Sequence, residues 1–418
     1  MEFRVDWKRV LISAAVLSLL SILAWPIYMS YVGNATLNPQ SQAMLIRSRS
    51  WELAFRPSAW PPGYALTLLA ARKINFPLEQ VNLTFFSLTL FLLFVVSRKG
   101  FPNISPFWLP VLYSLCAFNY YNIAQLTSEA IIVPLSLMIL LCLASYQQKK
   151  TLRSVLILSL CCALLFISRF QVVLWLAPIV VLNLFFSAPA DWKKKILHWG
   201  SFLVIGLAPL GFVLLTNYQK TGYLTGMERF DWSARNLPEV NQYFATSTGF
   251  LDNVFLTFKT YFLDFFSPYK YAEHLQNRAS YSISILEAFV LTLFGLAILR
   301  AFLALGRQLK EHGSLSNFLR AKRQSSPIAM LATEFFLGYI LVTILAWTVG
   351  NNDPLYSRFL YPSYVFFMVA MFSGFALVKG KDDSRWGKLF FVGLYLSLAI
   401  LQTYKIAQTL IHHYSLVG

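Results

Sequence analysis

Charge is scarce in this sequence. Only 13% of its 418 residues are Asp, Glu, Lys or Arg, whereas a soluble domain has about 25%. Hydrophobic residues make up 57% of the chain and aromatic residues 17%. A chain with so little polar surface must place most of its exterior against lipid, where only helices or closed barrels satisfy every backbone group. The composition therefore excludes a soluble globular protein.

The alternating pattern of barrel strands is also missing. Runs such as 131–146 and 331–349 are apolar over helical length, which excludes a transmembrane barrel. The sequence predicts an all-α fold, a polytopic transmembrane helical bundle that forms one domain over residues 1–418. We expect about eleven spans of roughly 17 to 25 residues, the length that crosses a bilayer core. They are 10–32, 78–97, 105–123, 127–146, 153–169, 170–187, 200–217, 281–305, 327–349, 358–378 and 388–409.

Metal-binding and nucleotide-binding patterns are absent from the sequence. The four cysteines all fall inside predicted spans, where we expect them to pack as small apolar residues. No spacing of cysteine or histidine indicates a zinc site, so no metal is expected. There is no glycine-rich phosphate loop, no nucleophile elbow and no HExxH motif. Soluble-type nucleotide chemistry is therefore excluded, and we expect no cofactor.

The charge that is present lies unevenly. The net charge is +17, and Lys and Arg concentrate in short loops such as 193–195 and 307–323. The positive-inside rule makes these loops cytoplasmic. It places the N-terminus inside and leaves two long extracytoplasmic loops, 33–76 and 218–280. The first run, 10–32, is interpreted as a retained signal anchor.

This pattern predicts a multi-pass protein of a cell membrane, with a bacterial inner membrane favoured. Nucleic acid is not an expected partner, because no basic patch falls on a soluble domain. The second outer loop, 218–280, is more polar than the first. It either folds over the first loop and closes a cavity or serves as a solvated linker.

The first outer loop combines cations, aromatic residues and prolines. Its charged residues and the turn that follows them are Arg47, Arg49, Glu52, Arg56 and Trp60-Pro61-Pro62-Gly63-Tyr64. The prolines exclude one long helix. The stretch from Arg47 to Phe55 fits a short interfacial helix whose cations lie at head-group depth. Such a segment is suited to holding an anionic lipid head group beside a polar substrate.

Three ionisable residues stand at the predicted outer ends of spans: Glu129, Arg169 and Arg358. Charge at such positions is costly and often functional. Each also has a simpler interpretation. Glu129 follows Thr127 and Ser128 and fits a helix start, and the two arginines can extend to lipid head groups. Their shared membrane face predicts convergence on one outward cavity with Glu52, Trp60 and Tyr64.

These motifs resemble the integral-membrane glycosyltransferases of the GT-C superfamily, especially the bacterial relatives of protein O-mannosyltransferases and aminoarabinose transferases. The matching pieces span nearly the whole chain: Trp60-Pro61-Pro62-Gly63-Tyr64, Thr127-Ser128-Glu129, Ser168-Arg169-Phe170, Asn217 with Thr221-Gly222, and Arg358-Phe359-Leu360-Tyr361-Pro362. The resemblance implies a polyprenyl-phosphate-linked sugar as donor substrate and transfer at the extracytoplasmic face. The acceptor would be a hydroxyl of a glycan, lipid or protein.

The chemistry of such a transfer assigns roles to these residues. Attack by an acceptor hydroxyl needs a base within about 2.6–3.2 Å, and the departing phosphate needs cations. We predict Glu52 as the catalytic base and Trp60 and Tyr64 as stacking groups for sugar or prenyl. Glu129 and Arg169 would order the cavity wall. The arginines predicted to bind the lipid phosphate are Arg47, Arg49, Arg56 and Arg358.

The sequence departs from the family at one place. Family members usually carry an Asp soon after the first span, whereas residues 34–44 contain no acid and offer amides such as Asn38, Gln40 and Gln42. Three alternatives follow. Glu52 takes the role, an acid from 218–280 reaches in, or the protein does not catalyse. A non-catalytic chain would be a transporter or scramblase of lipid-linked sugar, or an inactive relative that assists assembly.

Overall fold

A computed structural model of the protein describes residues 39–57, 61–101, 105–115, 126, 128–187, 191–224, 306–348 and 362–373, with isolated positions between 251 and 303 and between 393 and 400. Every regular element in these residues is helical, which confirms the predicted all-α class. Some predicted features lie wholly or largely outside the described residues. They are the spans 10–32, 281–305 and 388–409, the acid-free stretch before Pro39, the second loop beyond residue 224, Trp60, Thr127 and Arg358.

Three helices lie in the predicted first loop, and the long apolar helices follow it. The first three are α1 (Pro39–Arg47), α2 (Trp51–Ala54) and α3 (Pro62–Lys73). The others are α4 (Leu78–Gly100), α5 (Trp108–Leu115), α6 (Glu129–Lys149), α7 (Leu152–Phe166), α8 (Phe170–Ser187), α9 (Trp192–Ser201), α10 (Ala208–Thr221), α11 (Leu315–Ser325), α12 (Pro327–Thr348) and α13 (Pro362–Ser373). A π-helical turn, Phe202–Leu207, joins α9 to α10.

Five helices among the described residues are long and apolar enough to cross a membrane. They are Gln80–Gly100, Glu129–Lys149, Phe170–Ser187, Trp192–Thr221 and Pro327–Leu345. Two shorter apolar helices, α7 and α13, accompany them. Many of their outward side chains are large and hydrophobic, as with Leu174, Phe186 and Phe212, which are more than half exposed. These helices give the chain the character of a multi-pass membrane protein.

Local sequence signals account for where the helices start and stop. Pro62 opens α3 at a position where proline costs no hydrogen bond. The side chains of Ser50 and Asp191 accept hydrogen bonds from the first-turn N–H groups of α2 and α9. The helix that runs from Trp192 to Thr221 ends at Gly222. Gly222 adopts φ of 77°, the left-handed conformation that terminates α10.

An aromatic cluster lies between α8, α12 and α13. The Trp175 ring lies with its centroid 5.7 Å from that of Phe335, 5.3 Å from that of Tyr339 and 6.1 Å from that of Phe366. All three contacts are edge-to-face, the geometry that aromatic quadrupoles favour. These rings are buried, and they fix the relative positions of the three helices.

Helices α6 and α8 run side by side in the same direction. Near their first residues Glu129 pairs with Arg169, and near their last turns Gln147 donates a hydrogen bond to Asn183 at 2.7 Å. The two contacts define the two ends of the bundle, which we name the Glu129 end and the Asn183 end. The membrane face predicted for a residue can therefore be compared with the end of the bundle at which the residue lies.

Several element boundaries differ from the sequence-based prediction. The run 170–187 is helical over its predicted bounds, but the predicted span 200–217 extends back to Trp192, so Lys193–Lys195 lie in a helix. The stretch predicted as one helix from Arg47 to Phe55 is helical only at Trp51–Ala54, after α1 has ended at Arg47. The break at residues 48–50 lets Ser50 cap α2.

Candidate functional site

The Pro-Pro-Gly turn packs directly against the connection between α7 and α8. The backbone N–H of Gly63 donates a hydrogen bond of 2.7 Å to the carbonyl of Ile167. A Cβ on Gly63 would lie 2.4 Å from Ser168 Oγ and 2.8 Å from the Ile167 carbonyl oxygen, closer than real Cβ atoms come. Only glycine permits this approach of two backbones. Two of the sequence motifs, 60–64 and 168–170, therefore meet in space.

The same connection carries the ion pair between Arg169 and Glu129. The side chains are 13% and 6% exposed, so the pair is largely withdrawn from solvent. Arg169 also donates to Gln171 Oε1, from Nε at 3.4 Å and from Nη2 at 3.3 Å. The sequence analysis gave each residue two interpretations: a place in the wall of a shared cavity, or a helix start for Glu129 and a head-group contact for Arg169. The geometry instead joins them, and such a pair keeps two buried charges compensated.

Helix α1 reaches the same end of the bundle. The backbone N–H of Leu126, three residues before Glu129, donates to Ser41 Oγ at 3.1 Å. The buried hydroxyl of Ser41 thereby ties the first loop to the start of α6. The first loop, the start of α6 and the α7–α8 connection therefore form one continuous region.

Arg47 organises the first loop from within. Its Nη2 donates to the Ala54 carbonyl at 2.6 Å and to the Arg56 carbonyl at 3.4 Å. The residue is 8% exposed, and this burial lowers the pKa of its guanidinium to about 10. The side chain therefore stays cationic at neutral pH. It satisfies the last carbonyls of the α2 segment, which is a structural task that the sequence alone did not indicate.

A small open cleft lies between the first loop and the end of α10. It is lined by Arg47, Phe55, Arg56, Pro62, Val213, Thr216 and Asn217. Two guanidinium-bearing residues thus face a hydroxyl, an amide and apolar side chains. This composition fits an anionic head group attached to an apolar chain. We name this feature the arginine cleft.

Asn217 belongs to a motif that the sequence placed after the seventh span, and the structure brings it to the first loop. Its side chain is 4% exposed, and Nδ2 donates to the Leu224 carbonyl at 3.2 Å. The hydroxyl of Thr221 donates to the Asn217 carbonyl at 2.8 Å. These bonds hold the end of α10 in the conformation that lines the cleft.

Tyr64 is fully buried rather than open to a cavity. Its hydroxyl donates to Asn82 Oδ1 at 2.6 Å, and both residues are 0% exposed. The bond connects the first turn of α3 to α4. A sugar or prenyl group could stack on Tyr64 only if this side chain left its position. Asn82 carries the sequence pattern of a glycosylation acceptor, but its burial gives it this structural role instead.

The remaining predicted residues of the first loop are at the surface. Arg49 is exposed beside α1, and Glu52 is exposed on the first turn of α2. Glu52 precedes the cleft residues Phe55 and Arg56 by one helical turn, although it does not itself line the cleft. Trp51 is 64% exposed, and its ring centroid lies 4.8 Å from that of Phe55. These placements leave the catalytic role of Glu52 a prediction.

A second polar cluster lies at the Asn183 end and was missed by the sequence analysis. Asn183 accepts from Gln147 and donates to Glu334 Oε2 at 3.0 Å, and Glu334 also pairs with Arg323. Nearby on α6, the Tyr146 hydroxyl lies 3.0 Å from His198 Nδ1. Glu334 interrupts the apolar run 327–349, and a carboxylate at such a position is the signal that should have identified the cluster.

Comparison of the chain with family models, with curated proteins and with solved structures finds no match.

Proposed function

We propose that this chain is a membrane glycosyltransferase that moves a sugar from a polyprenyl-phosphate donor to a hydroxyl acceptor. The observation that carries the proposal is the arginine cleft, which opens beside the Gly63–Ile167 contact at the Glu129 end. Motifs that lie far apart in the sequence, 47–64, 168–170 and 217, contribute to this one region. Residues of one catalytic pocket are expected to cluster in this way.

The cleft offers separate surfaces for the two halves of a lipid-phosphate donor. Arg47 and Arg56 supply positive charge, and guanidinium groups bind phosphate oxygens through paired hydrogen bonds. Phe55, Pro62 and Val213 form the apolar part, which suits the first prenyl units. Because Arg47 is already bonded to two carbonyls, the exposed Arg56 is the better candidate for direct contact with phosphate.

The reaction requires a proton acceptor and a stabilised leaving group. The acceptor oxygen forms a bond to the anomeric carbon while the bond from that carbon to the phosphate oxygen breaks. The phosphate leaves with the electron pair, and its charge is stabilised by Arg56 and Arg47. The hydroxyl proton passes to a carboxylate, which we assign to Glu52 because it is exposed on the segment that forms the cleft. Glu129 and Arg169 hold the wall of the pocket.

The proposal places the arginine cleft outside the cytoplasm. The Asn183 end is flanked by Lys149, Lys150, Lys193–Lys195 and Arg323, whereas positive residues are sparser in the sequence of the loops at the other end. Such an imbalance marks the cytoplasmic side. The eleven spans and the cytoplasmic N-terminus belong to the same proposal. A lipid-linked donor presented in the outer leaflet would then enter the cleft from the membrane.

A transfer assay in proteoliposomes tests the proposal. The donor is a radiolabelled polyprenyl-phosphate sugar, and the product is label attached to an acceptor. We expect Glu52→Gln to abolish transfer while donor binding persists, because an amide cannot accept the proton. Glu311→Gln, which alters an exposed carboxylate just before α11, is the control and should leave transfer unchanged. Normal transfer by Glu52→Gln would remove Glu52 from the base role.

One observation favours a second candidate function, the binding and movement of a lipid-linked sugar without transfer. The described lining of the arginine cleft contains no carboxylate. A cleft that binds phosphate but lacks a base fits a scramblase or an inactive assembly partner. Liposomes with fluorescent lipid-linked sugar separate the two functions. Flipping without product formation would support this second candidate.

A further inference from the structure

Helix α11 is an amphipathic, basic helix that lies outside the arginine cleft. Its sequence, Leu-Ser-Asn-Phe-Leu-Arg-Ala-Lys-Arg-Gln-Ser, contains three cations and no acid. Ser314 caps the helix by accepting a hydrogen bond of 3.2 Å from the Asn317 N–H. A short helix with this composition gains little stability from local propensity alone. Its surroundings must therefore stabilise it.

One face of α11 is held by the protein and the neighbouring face is open. Phe318 is 5% exposed, and Lys322 Nζ lies 5.9 Å from its ring centroid. Leu315 and Leu319, one turn apart, are 60% and 41% exposed. The two leucines therefore form an apolar stripe next to the cations, an arrangement that favours the boundary between lipid head groups and acyl chains.

The chain itself fixes the depth of α11. The helix ends at Ser325, and the span-forming helix α12 begins at Pro327. Arg323 pairs with Glu334, which lies two turns into α12 and also accepts a hydrogen bond from Asn183. These links hold α11 at the level where an apolar span starts. The layer found at that depth is the head-group region of a bilayer.

We propose that α11 is an interfacial anchor that binds the head groups of an anionic phospholipid leaflet. Leu315 and Leu319 insert at the acyl boundary, and Arg320 and Lys322 bind lipid phosphates above them. Arg323 is engaged by Glu334 and fixes the helix to the bundle. An acidic protein would match the cations but not the two exposed leucines at membrane depth. This role does not depend on sugar transfer.

Spin labelling of the full chain in nanodiscs tests the anchor. Alanine replaces the four native cysteines, and a nitroxide is attached at Leu319→Cys or, as the control on the opposite side of the helix, at Asn317→Cys. In discs that contain phosphatidylglycerol, the label at 319 should be reached by oxygen and shielded from a soluble nickel chelate. The label at 317 should be reached by the chelate.

The lipid charge dependence provides the second measurement. Each Lys or Arg near an anionic lipid surface increases the equilibrium constant for lipid binding about fivefold. Arg320→Gln with Lys322→Gln should therefore weaken the binding of phosphatidylglycerol to this face of α11 by about 25-fold. Discs of phosphatidylcholine alone should show a similar loss. Equal nickel accessibility at 319 and 317 in both kinds of disc, or shielding only after an acidic protein is added, would overturn the proposal.

Discussion

The backbone N–H of Gly63 donates a hydrogen bond to the carbonyl oxygen of Ile167, across a distance of 2.7 Å. This contact joins the Pro-Pro-Gly turn of the first loop to the connection between two apolar helices. It positions Pro62 at the edge of the arginine cleft and leaves Arg169, two residues after Ile167, to pair with Glu129. The relationship links the loop that carries the candidate site to the helical scaffold.

The space around Gly63 gives the first prediction. Gly63→Ala should destabilise the protein by about 1–3 kcal/mol, the usual cost of inserting a group where none fits. Ser168→Gly should rescue only part of this loss, because the Ile167 carbonyl oxygen would remain 2.8 Å from the new Cβ. Thermal unfolding followed by intrinsic fluorescence measures the change. Gly211→Ala in α10 is the control, since nothing lies within 4 Å of its Cβ. A Gly63→Ala protein as stable as this control would contradict the contact.

The buried ion pair gives the second prediction. Glu129→Leu should destabilise the protein by about 3–5 kcal/mol, because it leaves the Arg169 charge buried without its partner. The double variant Glu129→Leu, Arg169→Met should be more stable than this single variant, since no buried charge then remains. A double-mutant cycle of unfolding temperatures measures the coupling. Additive effects of the two substitutions would show that the side chains do not interact.

The arginine cleft gives the third prediction. Arg56→Gln should weaken polyprenyl-phosphate binding by about 10- to 100-fold, which corresponds to loss of a charge-assisted hydrogen bond. Arg49→Gln is the matched control, because Arg49 is an exposed arginine of the same loop that does not line the cleft. Titration of each purified variant with fluorescent lipid phosphate gives the dissociation constants. Equal weakening by both substitutions would indicate a diffuse charge effect instead of a site.

The polar cluster at the Asn183 end gives the fourth prediction. Asn183→Leu removes the amide that bridges Gln147 and Glu334 and should destabilise the protein by about 1–3 kcal/mol. Lipid-phosphate binding in the arginine cleft should not change, since the two ends are separated by most of the length of α8. Unfolding temperature and binding are measured on the same preparation. Weakened binding with unchanged stability would contradict the separation of the two clusters.

Hydropathy predicted the all-α class and long apolar helices such as α8, but not the contacts between helices. The uninterrupted apolar run 170–187 has the same bounds in the structure, because length and composition alone determine a span. The position of Tyr64 was not predictable in this way. Its ring is buried, and its hydroxyl is bonded to Asn82 on α4, a contact between two helices that has no sequence signature. The spacing of apolar residues predicts a helix, but it does not predict which neighbouring helix each face contacts.

The first loop shows a second reason why the sequence-based prediction differs from the structure. The sequence indicates that Arg47 is an interfacial cation, whereas the structure places it inside the loop and bonded to the Ala54 carbonyl. Backbone carbonyls carry no sequence signature, so this partner could not be inferred. Glu334 is the opposite case. A carboxylate in an apolar run is visible in the sequence, and attention to it would have predicted the cluster with Asn183.

Photo-crosslinking tests the central claim most directly. A polyprenyl phosphate that carries a photoreactive group in its first isoprene unit is irradiated with the full chain in nanodiscs, and the modified peptides are mapped by mass spectrometry. The account predicts modification within 55–62 and 213–217, the segments that line the arginine cleft, with a strong decrease in Arg56→Gln. Modification confined to the Asn183 end, around Gln147 and Glu334, would contradict it.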